Sequence, residues 1–331
     1  MNKIEFPRTG VDGQTNTKDD IEKWYFKELY EELSKRIKKA IDNNTIKVNE
    51  KNIELNNDEK NVLIKLNDKE RLRKVVLALP KDLEKWAEEW DKLKDVRKEF
   101  KKKLSSVFNY TGYRATILVE LAKKLNVKSC PYCNMHYTLY VEDSYEKNDG
   151  LAKFQYDHFY DKSTYPMFSM SLYNLIPSCA ICNHSKHVKK LSLAFNPYHS
   201  EISEQFRFEL KNPDDFYKGV KIKDVIDIEI IASKNTDQSE LDDYIDTYKI
   251  KTLYQRHGDI AQEIFDKVYE YPYYSKTDNF KFLGDRSEEY IERLWYGTYI
   301  DKKDISKRPM TKFILDLREQ AQCVKKTNEN I

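Results

Sequence analysis

The chain has 331 residues, 40% of them apolar and 34% charged, and its 58 Lys and Arg nearly balance 56 Asp and Glu for a formal net charge of +2. Eight glycines and nine prolines are too few for a β-sandwich and point to a largely helical body with a well-solvated surface. No stretch approaches 18 apolar residues and Met1 to Pro7 lacks a signal-like apolar core, so the expectation is a cytoplasmic protein with no membrane partner.

In chain order, residues 1–16 read as a loose lead-in. Thr17, with Asp20 three residues on, opens a helix whose apolar positions Ile21, Tyr25, Leu29, Leu33, Ile37 and Ile41 recur every four residues until Asn43-Asn44 ends it. Residues 45–68 alternate weakly and suggest a hairpin or ribbon. A helix follows from Lys69 to Leu79, and Pro80 opens another that turns Leu83, Trp86, Ala87, Trp90 and Leu93 inward. From Lys92 to Lys128 the sequence carries eleven basic residues against Asp95, Glu99 and Glu120, a stretch suited to a phosphate backbone or simply to a solvated helix face. A helix over 113–125 delivers the chain to Cys130. Beyond it, 137–141, 153–159 and 173–177 read as short strands, with a polar loop at 144–150 and a short helix from Cys179 to about Lys189. After Asn196-Pro197 come strands at 206–210 and 226–231, a long helix over 244–269, and helices at 286–295 and 311–320.

Four of the five cysteines form two C-x-x-C pairs, Cys130/Cys133 and Cys179/Cys182. Each pair can bite one cation, and two pairs close a tetrahedron with no open position, so the implied ion is a structural Zn²⁺ pinning the 137–178 excursion at both ends. Five of the six histidines (His136, His158, His184, His187, His199) fall within the same region. Asp157 and His158 are adjacent on a predicted strand and should face opposite sides of the ribbon, Asp157 toward a cation and His158 toward a water that it can deprotonate. Asn183, at the start of the short helix, offers a carbonyl oxygen to the same cation. Lys186 and His187 follow on its face, the lysine to touch phosphate and the histidine as a further ligand or as part of a solvated basic surface.

Cys130-x-x-Cys133, Tyr156-Asp157-His158-Phe159 and Asn174-Leu175-Ile176-Pro177-Ser178-Cys179-Ala180-Ile181-Cys182-Asn183-His184-Ser185-Lys186 together resemble the HNH endonucleases of the ββα-metal (His-Me finger) fold, in their four-cysteine zinc-stabilised form. The resemblance implies that His158 is the general base, that Asp157 and Asn183 hold a catalytic Mg²⁺ or Mn²⁺, and that Asn174 orients the histidine ring. Where members often carry a proline, three residues after the histidine, this chain has Asp161. The expected fold is therefore α+β: mainly helical, with a central ββα-metal unit at 129–199 braced by zinc, between a helical region at 1–128 and a mostly helical α+β region at 200–331. The approach from Phe108 and the late Lys307-Arg308-Pro309-Met310-x-Lys312 segment resemble stand-alone bacterial anti-phage HNH proteins similar to Septu, which implies an ATPase partner. The implied reaction is hydrolysis of DNA to 5′-phosphate and 3′-hydroxyl ends. An RNA substrate, or a non-catalytic zinc module that docks nucleic acid or protein, is the alternative.

Overall fold

Thr17 begins the first long helix with a reciprocal cap. In the computed structural model, which describes residues 1–91, 98–142, 150–217, 225–275 and 286–329, helix α1 spans Lys18–Asn43. Thr17 Oγ1 accepts the Asp20 N–H at 3.2 Å, and the Asp20 carboxylate accepts the Thr17 N–H at 3.0 Å. Ile21, Tyr25, Leu29, Leu33 and Ile37 form its buried stripe, and Asn44, in the left-handed region at φ 53°, stops it. Two short strands, β1 (Arg8–Thr9) and β2 (Thr15–Asn16), precede it.

The weakly alternating segment after α1 resolves into a hairpin of β3 (Thr45–Val48) and β4 (Lys51–Glu54), followed by helix α2 (Asn57–Leu66). Asn49 and Glu50 make the two-residue turn with φ 46° and 69°. Two successive positive φ values match the right-handed twist of the paired strands. Helices α3 (Lys69–Val76), α4 (Pro80–Asp91), α5 (Lys98–Phe108), α6 (Tyr110–Tyr113) and α7 (Ile117–Leu125) complete this run, and α2, α3, α5 and α7 all pack on α1. The single helix expected over 113–125 is thus a short turn and a separate α7. Lys103 of α5 is buried and ion-paired to Glu59 of α2 at 3.0 Å. Of the expected basic stretch, Lys92, Lys94, Asp95 and Arg97 lie outside the described residues, as does most of the 144–150 loop.

Strands β5 (Tyr140–Glu142) and β6 (Gly150–Ala152) form one antiparallel pair; β7 (Gln155–His158) and β8 (Leu175–Ser178) form another, with Asp157 opposite Ile176 and His158 opposite Leu175. Helix α8 (Ala180–Lys186) follows β8 and packs on β7. Residues 3–127 and 138–199 make one compact unit, and residues 1–2, 128–137 and 200–331 a second. Strands of three or four residues bury too little to stand alone. Residues 138–199 are tied to the N-terminal helices: Tyr25 Oη donates to the Met170 carbonyl at 3.1 Å, Tyr156 Oη to Leu118 at 3.1 Å and Ser171 Oγ to Val75 at 2.6 Å.

In the second unit, β9 (Phe206–Leu210) pairs with β10 (Ile228–Ala232), with α9 (Pro213–Tyr217) following β9. Helices α10 (Gln238–Tyr248), α11 (Ile250–Tyr254), α12 (Gly258–Ser275), α13 (Glu288–Tyr296) and α14 (Thr311–Glu329) make up the rest. The continuous helix expected over 244–269 is three helices. Lys249 in the left-handed region (φ 53°) ends α10, and α12 restarts at Gly258. Side chains of α14 cover the open edge of β9: Asp316 accepts the Phe208 N–H at 2.8 Å, and Gln320 bonds the Leu210 N–H and carbonyl at 2.8 and 2.9 Å. The architecture is mixed α and β, dominated by helix, with two-stranded sheets. Among the described residues no helix is long and apolar enough to cross a membrane.

Candidate catalytic and metal-binding sites

The four paired cysteines converge as their spacing predicts. Cys130, Cys133, Cys179 and Cys182 are buried, with all four Sγ atoms within 4.8 Å of one another. Tetrahedral zinc with bonds of about 2.3 Å sets its sulfurs roughly 3.8 Å apart, so the donor set fits that ion. The backbone is already arranged for thiolates. The Met135 N–H points at Cys133 Sγ and the Cys182 N–H at Cys179 Sγ, each at 3.4 Å. His136 Nδ1 lies 3.6 Å from Cys133 Sγ, and this contact raises the imidazole above its ordinary value.

The turn carrying the first pair is held by a residue that sequence reasoning passed over. Asn134, fully buried and at φ 48°, donates from Nδ2 to the Ile305 carbonyl and to Ser129 Oγ, both at 2.9 Å, and accepts the Lys312 N–H at 3.0 Å. Tyr254 Oη donates to the Cys133 carbonyl at 2.6 Å. The late segment around Arg308 and Lys312 therefore packs against this turn. The ammonium of Lys312 is engaged with Asp316 at 2.5 Å in a buried pair.

The second constellation surrounds the end of β7. A cavity of about 1270 Å³ is lined by Asp157, His158 and Asn183 together with His184, His187 and the basic side chains Arg114 and Lys162. Asp157 and His158 are 2% and 6% exposed. Strict alternation predicts opposite faces for these neighbours, yet both line the one cavity, His158 being the last residue of the strand. His158 Nε2 lies 3.0 Å from the Ser169 carbonyl, which can only accept. Nε2 therefore carries the proton and Nδ1 the lone pair. The Tyr110 ring meets the imidazole edge to face at 4.5 Å between centroids, and the Lys162 ammonium sits 4.3 Å from the Tyr110 centroid. Burial, reinforced by Lys162, lowers the His158 pKa to about 3, against an opposing pull from the Ser169 carbonyl. At neutral pH the ring is uncharged, with its lone pair on Nδ1.

Asn174 bonds to the backbone of the loop that follows His158. Fully buried, it accepts the Tyr160 N–H at 2.7 Å and donates to the Tyr160 and Phe168 carbonyls at 3.0 Å each. It clamps the 159–174 loop rather than the ring; the ring is held by Ser169, which that loop carries. Asp161, standing where a proline was expected, turns the chain by accepting the Ser163 and Thr164 N–H groups at 3.0 and 2.9 Å. Burial pushes its pKa up, but these bonds and those from both hydroxyls outweigh it and leave it below the usual carboxylate value.

On α8, Asn183 donates from Nδ2 to Gln155 Oε1 at 2.5 Å, which turns its carbonyl oxygen away from that partner. Gln155 was not singled out in the sequence; its place two residues before Asp157, on the same strand face, is the signal that could have found it. Lys186 departs from expectation. Its side chain is fully buried, with Nζ 3.3 and 3.4 Å from the two Asp157 oxygens and 2.8 Å from the His158 carbonyl. The ammonium points inward, away from any phosphate at the surface, because α8 packs this face on β7. His187 caps α8 at φ 49° and is exposed.

No protein-family model, curated protein or solved structure matches the chain.

Proposed function

We propose that the protein is a metal-dependent endonuclease of the HNH kind, with β7, β8 and α8 as its ββα-metal unit and DNA as its substrate. The observation that carries this reading is the arrangement at the end of β7. A neutral histidine with its Nε2 proton committed to the Ser169 carbonyl lines the same cavity as a buried carboxylate and an asparagine. Asp157 and Asn183 supply oxygen donors of the hard kind that Mg²⁺ or Mn²⁺ takes, with His187 at the same cavity wall. Such an ion, when bound, would polarise the scissile phosphate and stabilise the leaving oxygen.

His158 Nδ1 takes the proton of an attacking water, whose oxygen forms the new bond to phosphorus as the bond to the 3′-oxygen breaks; the 3′-oxygen is then protonated from solvent. Ser169 keeps the ring in the productive tautomer, and Asn174 keeps Ser169 in place by clamping its loop. Arg114 and Lys162 bring positive charge to the cavity wall, suited to the sugar–phosphate backbone. Zn²⁺ held by Cys130, Cys133, Cys179 and Cys182 would be structural, since four thiolates leave it no open position. An ATPase partner in a defence setting rests on sequence resemblance alone.

The test is product chemistry on a linear duplex with Mg²⁺ or Mn²⁺, run beside an RNA of the same sequence. Ligatable 5′-phosphate ends from the DNA, lost in Asp157→Ala and Asn183→Ala, are expected. Cleavage of the RNA alone would move the assignment to a ribonuclease, and cleavage of neither would favour the zinc-module alternative.

A further inference from the structure

Lys186 is ion-paired to Asp157, which lines the cavity, and the consequence for cation binding rests on the nuclease reading. Lys186 Nζ bridges both oxygens of Asp157, at 3.3 and 3.4 Å, and donates to the His158 carbonyl at 2.8 Å. Its side chain is 0% exposed and that of Asp157 2%, so water screens the pair little. The Phe159 ring lies against the ammonium, with its centroid 5.9 Å away. Lys186 thus stands as a fixed monovalent cation on the carboxylate that the proposed function assigns to a divalent one.

We propose that Lys186 is an internal counter-ion that competes with the divalent cation for Asp157 and so sets a high concentration threshold for it. Two like charges cannot share one buried carboxylate without cost, so cation binding draws Asp157 away from Nζ. The His158 carbonyl gives the ammonium a second anchor that does not depend on Asp157, so the lysine can release the carboxylate without becoming wholly unpaired. Without a divalent ion, the same lysine keeps a buried carboxylate neutralised and the end of β7 in order.

The experiment measures binding, with no dependence on turnover. Mn²⁺ affinity of the full-length, zinc-loaded protein is read by electron paramagnetic resonance for wild type, Lys186→Met and Asp157→Asn. The expected result is Mn²⁺ binding tightened on the order of tenfold in Lys186→Met and lost in Asp157→Asn. Equal affinity in wild type and Lys186→Met would overturn the inference and leave the nuclease reading standing; no binding by either would overturn both. Should Lys186→Met fail to fold, the wild type still decides the matter. With ¹⁵N-labelled lysine, the resonance of the buried Lys186 ammonium should move on titration with Mg²⁺ and hold still with Na⁺. A resonance unmoved while calorimetry registers Mg²⁺ binding would overturn the proposal.

Discussion

Replacing Asn174 by alanine tests the link between the loop and the site. The side chain is fully buried and spends three hydrogen bonds on the loop backbone, from the Tyr160 N–H and to the Tyr160 and Phe168 carbonyls. Alanine fills less space and leaves three buried backbone groups without those partners. At about 1–1.5 kcal/mol for each bond, the loss is about 3–4.5 kcal/mol. Hydrogen exchange followed by mass spectrometry over 159–174 reads this locally: the Tyr160 amide should exchange about a hundredfold faster or more at that cost. Urea unfolding should move with it. Asn174→Asp should be worse than alanine, because a carboxylate keeps the acceptor but would face the two carbonyls with no donor. Cleavage should fall in both variants, since Ser169 rides on the loop and holds His158. Exchange and stability unchanged in Asn174→Ala would refute the clamp.

Other outcomes follow from the same geometry. Lys103→Met should destabilise by about 3–5 kcal/mol in urea, because Glu59, 4% exposed, loses its cationic partner; a loss under 1 kcal/mol would contradict this. Purified protein should contain one Zn²⁺ per chain by elemental analysis, with Cys182→Ser losing the metal and melting at lower temperature; zinc-free protein with an unchanged melt would remove the metal from the account. The pKa of Asp161 lies below its unfolded value of 3.8, so its hydrogen bonds contribute stability in full above about pH 4 and lose it as pH falls through the lower folded value. Asp161→Asn should therefore flatten the acid limb of a stability-against-pH curve, and an identical limb would count against those bonds.

Much of this was legible in the residues. Thr17 and Asp20 announced a helix start through a local cap, and the two C-x-x-C pairs announced a cluster, because spacing alone sets how two thiolates meet one ion. What failed to show was which face of a short helix turns inward. On α8, Asn183 and His187 line the cavity, but Cys182 and Lys186, four apart, form the buried side. A lysine there reads as exposed from composition; Asp157 and the His158 carbonyl beneath it explain its burial. Asn174 was found by motif, yet its partners are backbone groups, which sequence does not distinguish. The long helix over 244–269 broke at Lys249, a residue with no sequence mark of a left-handed conformation. Asn134 carries no sequence mark of its role, because the carbonyls that it holds, those of Ile305 and Arg308, are more than 170 positions away.

His158, neutral and fixed by Ser169, is the proposed base of a metal-dependent nuclease. Nicking and linearisation of supercoiled plasmid by wild type and His158→Ala, with Mg²⁺ or Mn²⁺ and with chelator, tests it most directly. Metal-dependent cutting by wild type and none above background by the variant, both carrying zinc and equally folded, is the expected result. A folded variant that cuts as fast as wild type would contradict it.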